Sequence, residues 1–281
     1  MTADNKPEQQ QIEHWLKNSQ ERIDGTWEDY HSGFYEKEDL PMQTTPSNLA
    51  GAHASFARAQ FLNGEPRKVF RESFSKAAGY TLKSFTMAYD ETDPDYVGDR
   101  KSTDISGFGY GCVSWFQVSE REFVEGINYA LMGADFDSAR ELAKWFRDPP
   151  NGKMEKEINR YAHALKFALL GEKDRAKALV KQTLDEWKGR KTKDPFKMNY
   201  RTLSMALYGT ADNDETVFNQ GLTLQLSLYQ SYAQGEGKDT DYEFICDDAV
   251  ALANLGREYG LKVTAEHYTL PNGLLIRHSC G

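Results

Sequence analysis

The segment from Asp93 to Asp104 places acids at the first, third, seventh and twelfth positions of a calcium-loop pattern, with Gly98 at the sixth. In such loops carboxylates supply hard oxygen ligands and the glycine permits the sharp turn. The match is incomplete. Val97 at the fifth position offers no ligand side chain, Asp104 stands where a bidentate Glu is usual, and Pro94 is out of pattern. The expectation is a solvated acidic loop without calcium. Six histidines, at 14, 31, 53, 163, 267 and 278, form no HxxxH or HExxH arrangement, so no zinc-hydrolase ligand set is visible. Cys112, Cys246 and Cys280 lack any CxxC pair and fit ordinary thiols in a reducing compartment. Cys112 or Cys246 acts as a nucleophile only if the fold delivers a histidine to it. Gly107-Phe108-Gly109-Tyr110-Gly111 lacks GxGxxG spacing and a following Lys-Ser/Thr, which excludes a phosphate cradle of the usual kind. No catalytic residue, metal or cofactor is expected.

Charge is the next signal. The chain has 281 residues and a formal charge of −9, unevenly spread. Residues 151–201 hold fourteen Lys or Arg against seven Asp or Glu, whereas 211–248 hold nine acids and the single base Lys238. The basic stretch interleaves both signs at helical spacing, which predicts intrahelical pairs on a solvated face rather than a nucleic-acid surface. The acidic net charge points the same way. Polar Met1 to Gln11 gives no signal-peptide core, and no apolar run approaches a membrane span. A cytoplasmic protein is expected, with no membrane or direct nucleic-acid contact.

These residues must be positioned by helices. Apolar stretches run into a glycine turn at Gly133, Gly171 and Gly209, spaced 38 residues apart, with an earlier copy at Gly64 outside that register. Such self-similarity predicts stacked helical hairpins. Each glycine suits the left-handed position after a helix, and the acid beyond it suits the next N-terminus. Helical periodicity predicts helices over 120–132, 136–147, 154–170, 173–187, 196–208, 213–233 and 243–259, the first capped by Ser119 with Glu122 completing a capping box. Upstream, Ile12 to Tyr35 forms one or two amphipathic helices, Pro41 to Pro46 breaks the pattern, and a helix starts at Ser47. Pro66 opens another, which reaches Tyr89. Residues 90–111 read as a long irregular stretch. The predicted fold is all-α, a tetratricopeptide-like array of antiparallel helical hairpins with a short extended C-terminal tail. It comprises an N-terminal helical region, 1–112, and a helical-repeat region, 113–281, in one continuous domain.

The C-terminal succession resembles a known family. Phe218-Asn219-Gln220-Gly221-Leu222 leads a helix carrying Tyr229 and Tyr232, followed by an acidic turn from Asp239 to Asp248 and Ala249-Val250-Ala251-Leu252-Ala253. Tyr259-Gly260-Leu261-Lys262-Val263 and Leu270-Pro271-Asn272-Gly273-Leu274-Leu275 complete the pattern. Over about residues 115–276 this is similar to the immunity protein 49 family of bacterial polymorphic-toxin systems, departing from it at Glu266-His267-Tyr268. The resemblance implies a non-enzymatic protein that binds and neutralises a cognate toxin.

Acidic inhibitors dock quickly on the basic clefts of toxins that act on nucleic acids or nucleotides. Two acidic patches are therefore candidate toxin-binding surfaces. One holds Glu236, Asp239, Asp241, Glu243, Asp247 and Asp248; the other holds Asp90, Glu91, Asp93, Asp95 and Asp99. The alternatives are a tetratricopeptide-like adaptor binding a peptide or assembly partner, and an enzyme using the 90–111 loop.

Overall fold

The computed structural model describes residues 6–97, 110–148, 155–190 and 192–277. Among these residues the protein is all-helical, without strands. The helices are α1 (Gln9–His31), α2 (Phe34–Lys37), α3 (Thr44–Leu62), α4 (Arg67–Tyr89), α5 (Glu120–Gly133), α6 (Phe136–Trp145), α7 (Lys156–Leu169), α8 (Lys173–Glu186), α9 (Pro195–Asp212), α10 (Glu215–Ala233) and α11 (Asp247–Glu258). No helix among the described residues is long and apolar enough to cross a membrane.

Side-chain caps account for several starts. Ser119 Oγ accepts from Glu122 N at 3.3 Å. Asp135 Oδ1 accepts from Ser138 N at 3.0 Å, and Asp214 Oδ1 accepts from Thr216 N and Val217 N at 2.9 and 3.0 Å. Each occupies donors that the first turn leaves without helical partners. α3 begins at Thr44, earlier than the expected Ser47, with Pro46 as its third residue. A first-turn N–H has no helical acceptor, so proline is tolerated there and does not break the helix.

Helix ends follow one rule at several places. Glu65 N donates to Gln60 O, Asp135 N to Ala130 O, Glu172 N to Phe167 O, Asp214 N to Gly209 O and Leu261 N to Gly256 O, at 2.8 to 3.0 Å. This is the six-to-one bond of the Schellman motif, and the residue before each donor is left-handed: Gly64, Ala134, Gly171, Asn213 and Gly260. The regular glycine spacing thus has two physical origins. Gly171 is left-handed, as expected, but Gly133 lies in the last turn of α5 and Gly209 lies within α9. Those two glycines serve close approach. A Cβ on Gly133 would meet Ser75 Oγ at 2.8 Å, and one on Gly209 would meet Phe218 N at 2.3 Å.

The chain divides into two compact units, Ile12–Met154 and Met1–Gln11 with Glu155–Gly281. In the first, α4 packs against α3, α5 and α6. Phe85 meets Phe123 and Phe146, whose rings stack 4.1 Å apart. Burying such a side chain contributes roughly 1.5–3 kcal/mol. In the second, α7, α8 and α9 pack together, and α10 and α11 join α9. The basic stretch is paired both locally and between helices: Arg175 meets Glu172 and Lys197 meets Asp194 three residues away, while Lys156 and Arg160 of α7 reach Glu186 of α8 at 2.7 and 2.8 Å and Lys177 of α8 meets Asp212 of α9. The C-terminal tail is irregular and is tied down by two asparagines. Asn219 Oδ1 accepts from Thr264 N at 2.7 Å, and Asn254 Oδ1 accepts from Ile276 N at 2.8 Å.

Candidate functional site

Of the two acidic patches, the one in the second unit is built by the connection from α10 to α11. α10 ends at Ala233, and its last turn is closed by Gly235 N and Gly237 N, which both donate to Tyr232 O. A Cβ on Gly237 would come within 2.9 Å of Tyr232 Cε1, so a side chain there would push the exposed tyrosine ring aside. The chain then turns through left-handed Asp239, whose N–H donates to Glu243 Oε2 at 2.8 Å. Beneath the turn, the Tyr229 hydroxyl lies 2.6 Å from Tyr242 O and 2.9 Å from Ile245 O.

This scaffold sorts the expected acids. Glu236 and Asp239 are exposed, as is Tyr232 in the last turn of α10, at 41 %. Glu243 is half-buried and engaged in fixing the turn. Asp241 is buried at 8 % exposure. Asp247 and Asp248 form the first turn of α11, where a carboxylate favours the positive helix end. Asp248 is half-buried, and its charge, after burial itself, helps to push the Tyr161 hydroxyl and the Cys246 thiol well above their ordinary values.

The other patch, in the first unit, is organised around a lysine. Asp93 is only 7 % exposed by side chain and accepts from Lys83 Nζ at 2.5 Å, Thr86 Oγ1 at 2.6 Å and Asp95 N at 2.9 Å. Burial raises its pKa, but those hydrogen bonds outweigh burial and hold the carboxyl below its usual value. Asp95 also reaches Lys83, at 2.8 Å. Asp90 Oδ1 accepts from Thr92 N and Oγ1, which shapes the turn. Glu91 is exposed. Asp93 and Asp95 therefore hold a loop on α4. Asp99, together with Gly98, Asp104 and Gly107 to Gly109, lies outside the described residues, as do His278 and Cys280.

Sequence reasoning missed a cleft of about 550 Å³ in the first unit. Its walls come from the end of α1, from α2 and α3, from α4, and from Tyr110. Trp27, Tyr30 and His31 converge because they are one turn apart on α1: Trp27 meets Tyr30 edge-on at 5.8 Å and stacks on His31 at 5.8 Å. Tyr80 of α4 approaches Trp27 at 6.3 Å with planes inclined by 67°. On its other side Tyr80 stacks with His53, 5.3 Å away at 14°. Burial, aided by the charge of Lys76, lowers the His53 pKa to about 4 and so keeps the ring neutral. Asp39 Oδ1 positions Tyr110 by accepting from its N–H at 2.8 Å. The clustering of aromatics within 27–35 was the one available sequence signal, but Tyr80 and Tyr110 come from distant segments.

Of the described thiols, Cys246 is a poor nucleophile by placement. Cys246 is fully buried, beside Gln225 and Asp248, and burial pushes its thiol far up. An activated thiolate needs the reverse, an electropositive and accessible setting. Among the described residues no group of three or more His, Cys, Asp or Glu side chains is placed to hold a metal ion. Comparison of the chain with protein families, with characterised proteins and with solved structures finds no match.

Proposed function

We propose that this protein is an immunity-type inhibitor, which binds a cognate basic toxin and neutralises it without catalysis of its own. The observation that carries the reading is the exposed Tyr232 in the last turn of α10, followed by an acidic turn whose Glu236 and Asp239 are exposed as well. An exposed aromatic flanked by charge is the kind of group that dominates binding energy at protein interfaces. Exposed carboxylates beside it steer a basic partner and raise its association rate. The succession of packed neighbours α7 to α10 reads as a tetratricopeptide-like array of helical hairpins, a scaffold suited to presenting such a turn.

The resemblance in the C-terminal residues supports the same role, and its residues acquire structural reasons here. Phe218 is fully buried, Gly221 admits the backbone of Ala206, and Asn219 fastens the tail. A rival reading is an adaptor that seats a peptide along α10, favoured by Leu224, which is 45 % exposed within that helix. Co-expression separates the two. The inhibitor reading expects the protein to rescue cells that express a toxic basic domain encoded beside it. If cells die equally with and without the protein while the two chains still associate, the adaptor reading replaces it.

A further inference from the structure

We infer that the aromatic cleft of the first unit binds an organic cation, an ammonium or guanidinium head carried on an apolar body. Three observations converge on this chemistry. Trp27, Tyr30 and Tyr80 present rings at steep mutual angles, with interplanar angles of 84° for Trp27 and Tyr30 and 67° for Trp27 and Tyr80. One face of Trp27 is covered by His31 and one face of Tyr80 by His53, and all three aromatics line the cleft, where exposed ring surface attracts a positive charge. Tyr30 remains 51 % exposed, so this wall stands open to a ligand.

The second observation is the charge balance. Among the described residues lining the cleft, Lys83 is the one permanent cation, and Asp93 and Asp95 already bind it at 2.5 and 2.8 Å. Asp93 holds Lys83 from outside the lining, and within it Asp95 and Glu36 set two carboxylates against that one lysine. The described lining therefore carries one more carboxylate than lysine, which together with its aromatic surface favours a cation over an anion.

The third is the floor. Met42, Pro46, Leu49 and Met87 line the cleft with apolar surface that suits the ligand's body but not a bare inorganic ion. A volume of about 550 Å³ lies within the usual range for small-molecule sites, roughly 300–1,000 Å³. The shared chemistry has two sources, a free quaternary amine or the basic side chain of a peptide.

The test uses the full chain alone, without any toxin, so its outcome is independent of the inhibitor reading. Calorimetric titrations with benzyltrimethylammonium, N-acetyl-arginine amide and its neutral isostere N-acetyl-citrulline amide compare charge at nearly constant shape. Saturable binding is expected for at least one cation, about tenfold or more tighter than for citrulline amide, as a cation–π contact with carboxylate support implies. Tighter binding of the arginine amide assigns the site to a basic side chain; tighter binding of the quaternary amine assigns it to a free small molecule. Tyr30→Ala and Glu36→Gln, both at exposed positions, should each weaken the preferred cation several-fold without lowering the melting temperature. Absence of saturable binding by both cations, or a preferred cation bound no more tightly than citrulline amide, overturns the inference.

Discussion

Gly209 of α9 sits against the backbone of Phe218 in α10, so closely that a Cβ on the glycine would lie 2.3 Å from Phe218 N and 2.6 Å from Phe218 Cα. The ring of the same phenylalanine fills the space beside Gly256 of α11, where a Cβ would come within 2.3 Å of Cζ. One buried aromatic therefore sets the separation of three helices, and two glycines allow it.

Gly209→Ala should accordingly be costly, because backbone atoms cannot swing aside as a flexible side chain can. A loss of about 3 kcal/mol is expected, at the upper end for overpacking. Denaturant unfolding of the variant measures it. A loss below that of Gly171→Ala, where nothing lies within 4 Å of the added Cβ, would contradict the packing argument.

Left-handed positions give a paired prediction of opposite sign. Gly171 has φ +81°, so Gly171→Val should cost about 1 kcal/mol or more. Ala134 holds the same place after α5 with φ 57°, so Ala134→Gly should stabilise the protein by up to about 1 kcal/mol. Melting temperatures moving in opposite directions confirm the assignment; a shift in the same direction for both refutes it.

The comparison of these glycines shows what could be read from the chain. Ser119 with Glu122, and an apolar stretch ending at Gly171, are local signals, and the structure returns them as a cap and a left-handed turn. Gly133 and Gly209 carry the same local appearance, yet their reasons lie in Ser75 and Phe218, which only the fold brings near. The acidic patches were legible as composition alone. That Asp93 is spent on Lys83 while Glu236 and Asp239 remain exposed depends on burial that no spacing reveals. The cleft was least legible of all, since ring angles between Trp27 and Tyr80 have no sequence signature.

Two half-buried groups should give opposing pH dependences. Burial, with Lys76, lowers His53 from 6.5 to about 4, so its contribution to stability is present above pH 6.5 and lost as pH falls toward 4. Burial, with Glu125, raises Glu122 from 4.5 to about 7 against the pull of Arg121. Its contribution is full below pH 4.5 and lost as pH rises through 7. Relative to wild type, His53→Phe should therefore gain stability as pH falls from 6.5 to 4, whereas Glu122→Gln should gain as pH rises from 4.5 to 7. Unfolding curves across this range check both, and parallel curves for wild type and either variant contradict the corresponding assignment.

Asp93 should matter for folding rather than for docking. Asp93→Ala removes the acceptor for Lys83, Thr86 Oγ1 and Asp95 N, and a loss of about 1–3 kcal/mol is expected from leaving those donors short of partners. Thermal unfolding should register this loss. An unchanged melting temperature would return Asp93 to the surface as a free charge.

The central claim is that the turn bearing Tyr232, Glu236 and Asp239 meets a basic toxin. Its most direct test is the association rate of the toxin domain with wild type and with the double variant Glu236→Lys, Asp239→Lys, at low and at high salt. Steering by these exposed carboxylates predicts an association about tenfold slower for the variant at low salt, a difference that shrinks as salt rises, and little change in dissociation. Equal association rates for the two proteins at low salt would contradict the claim and place the contact elsewhere.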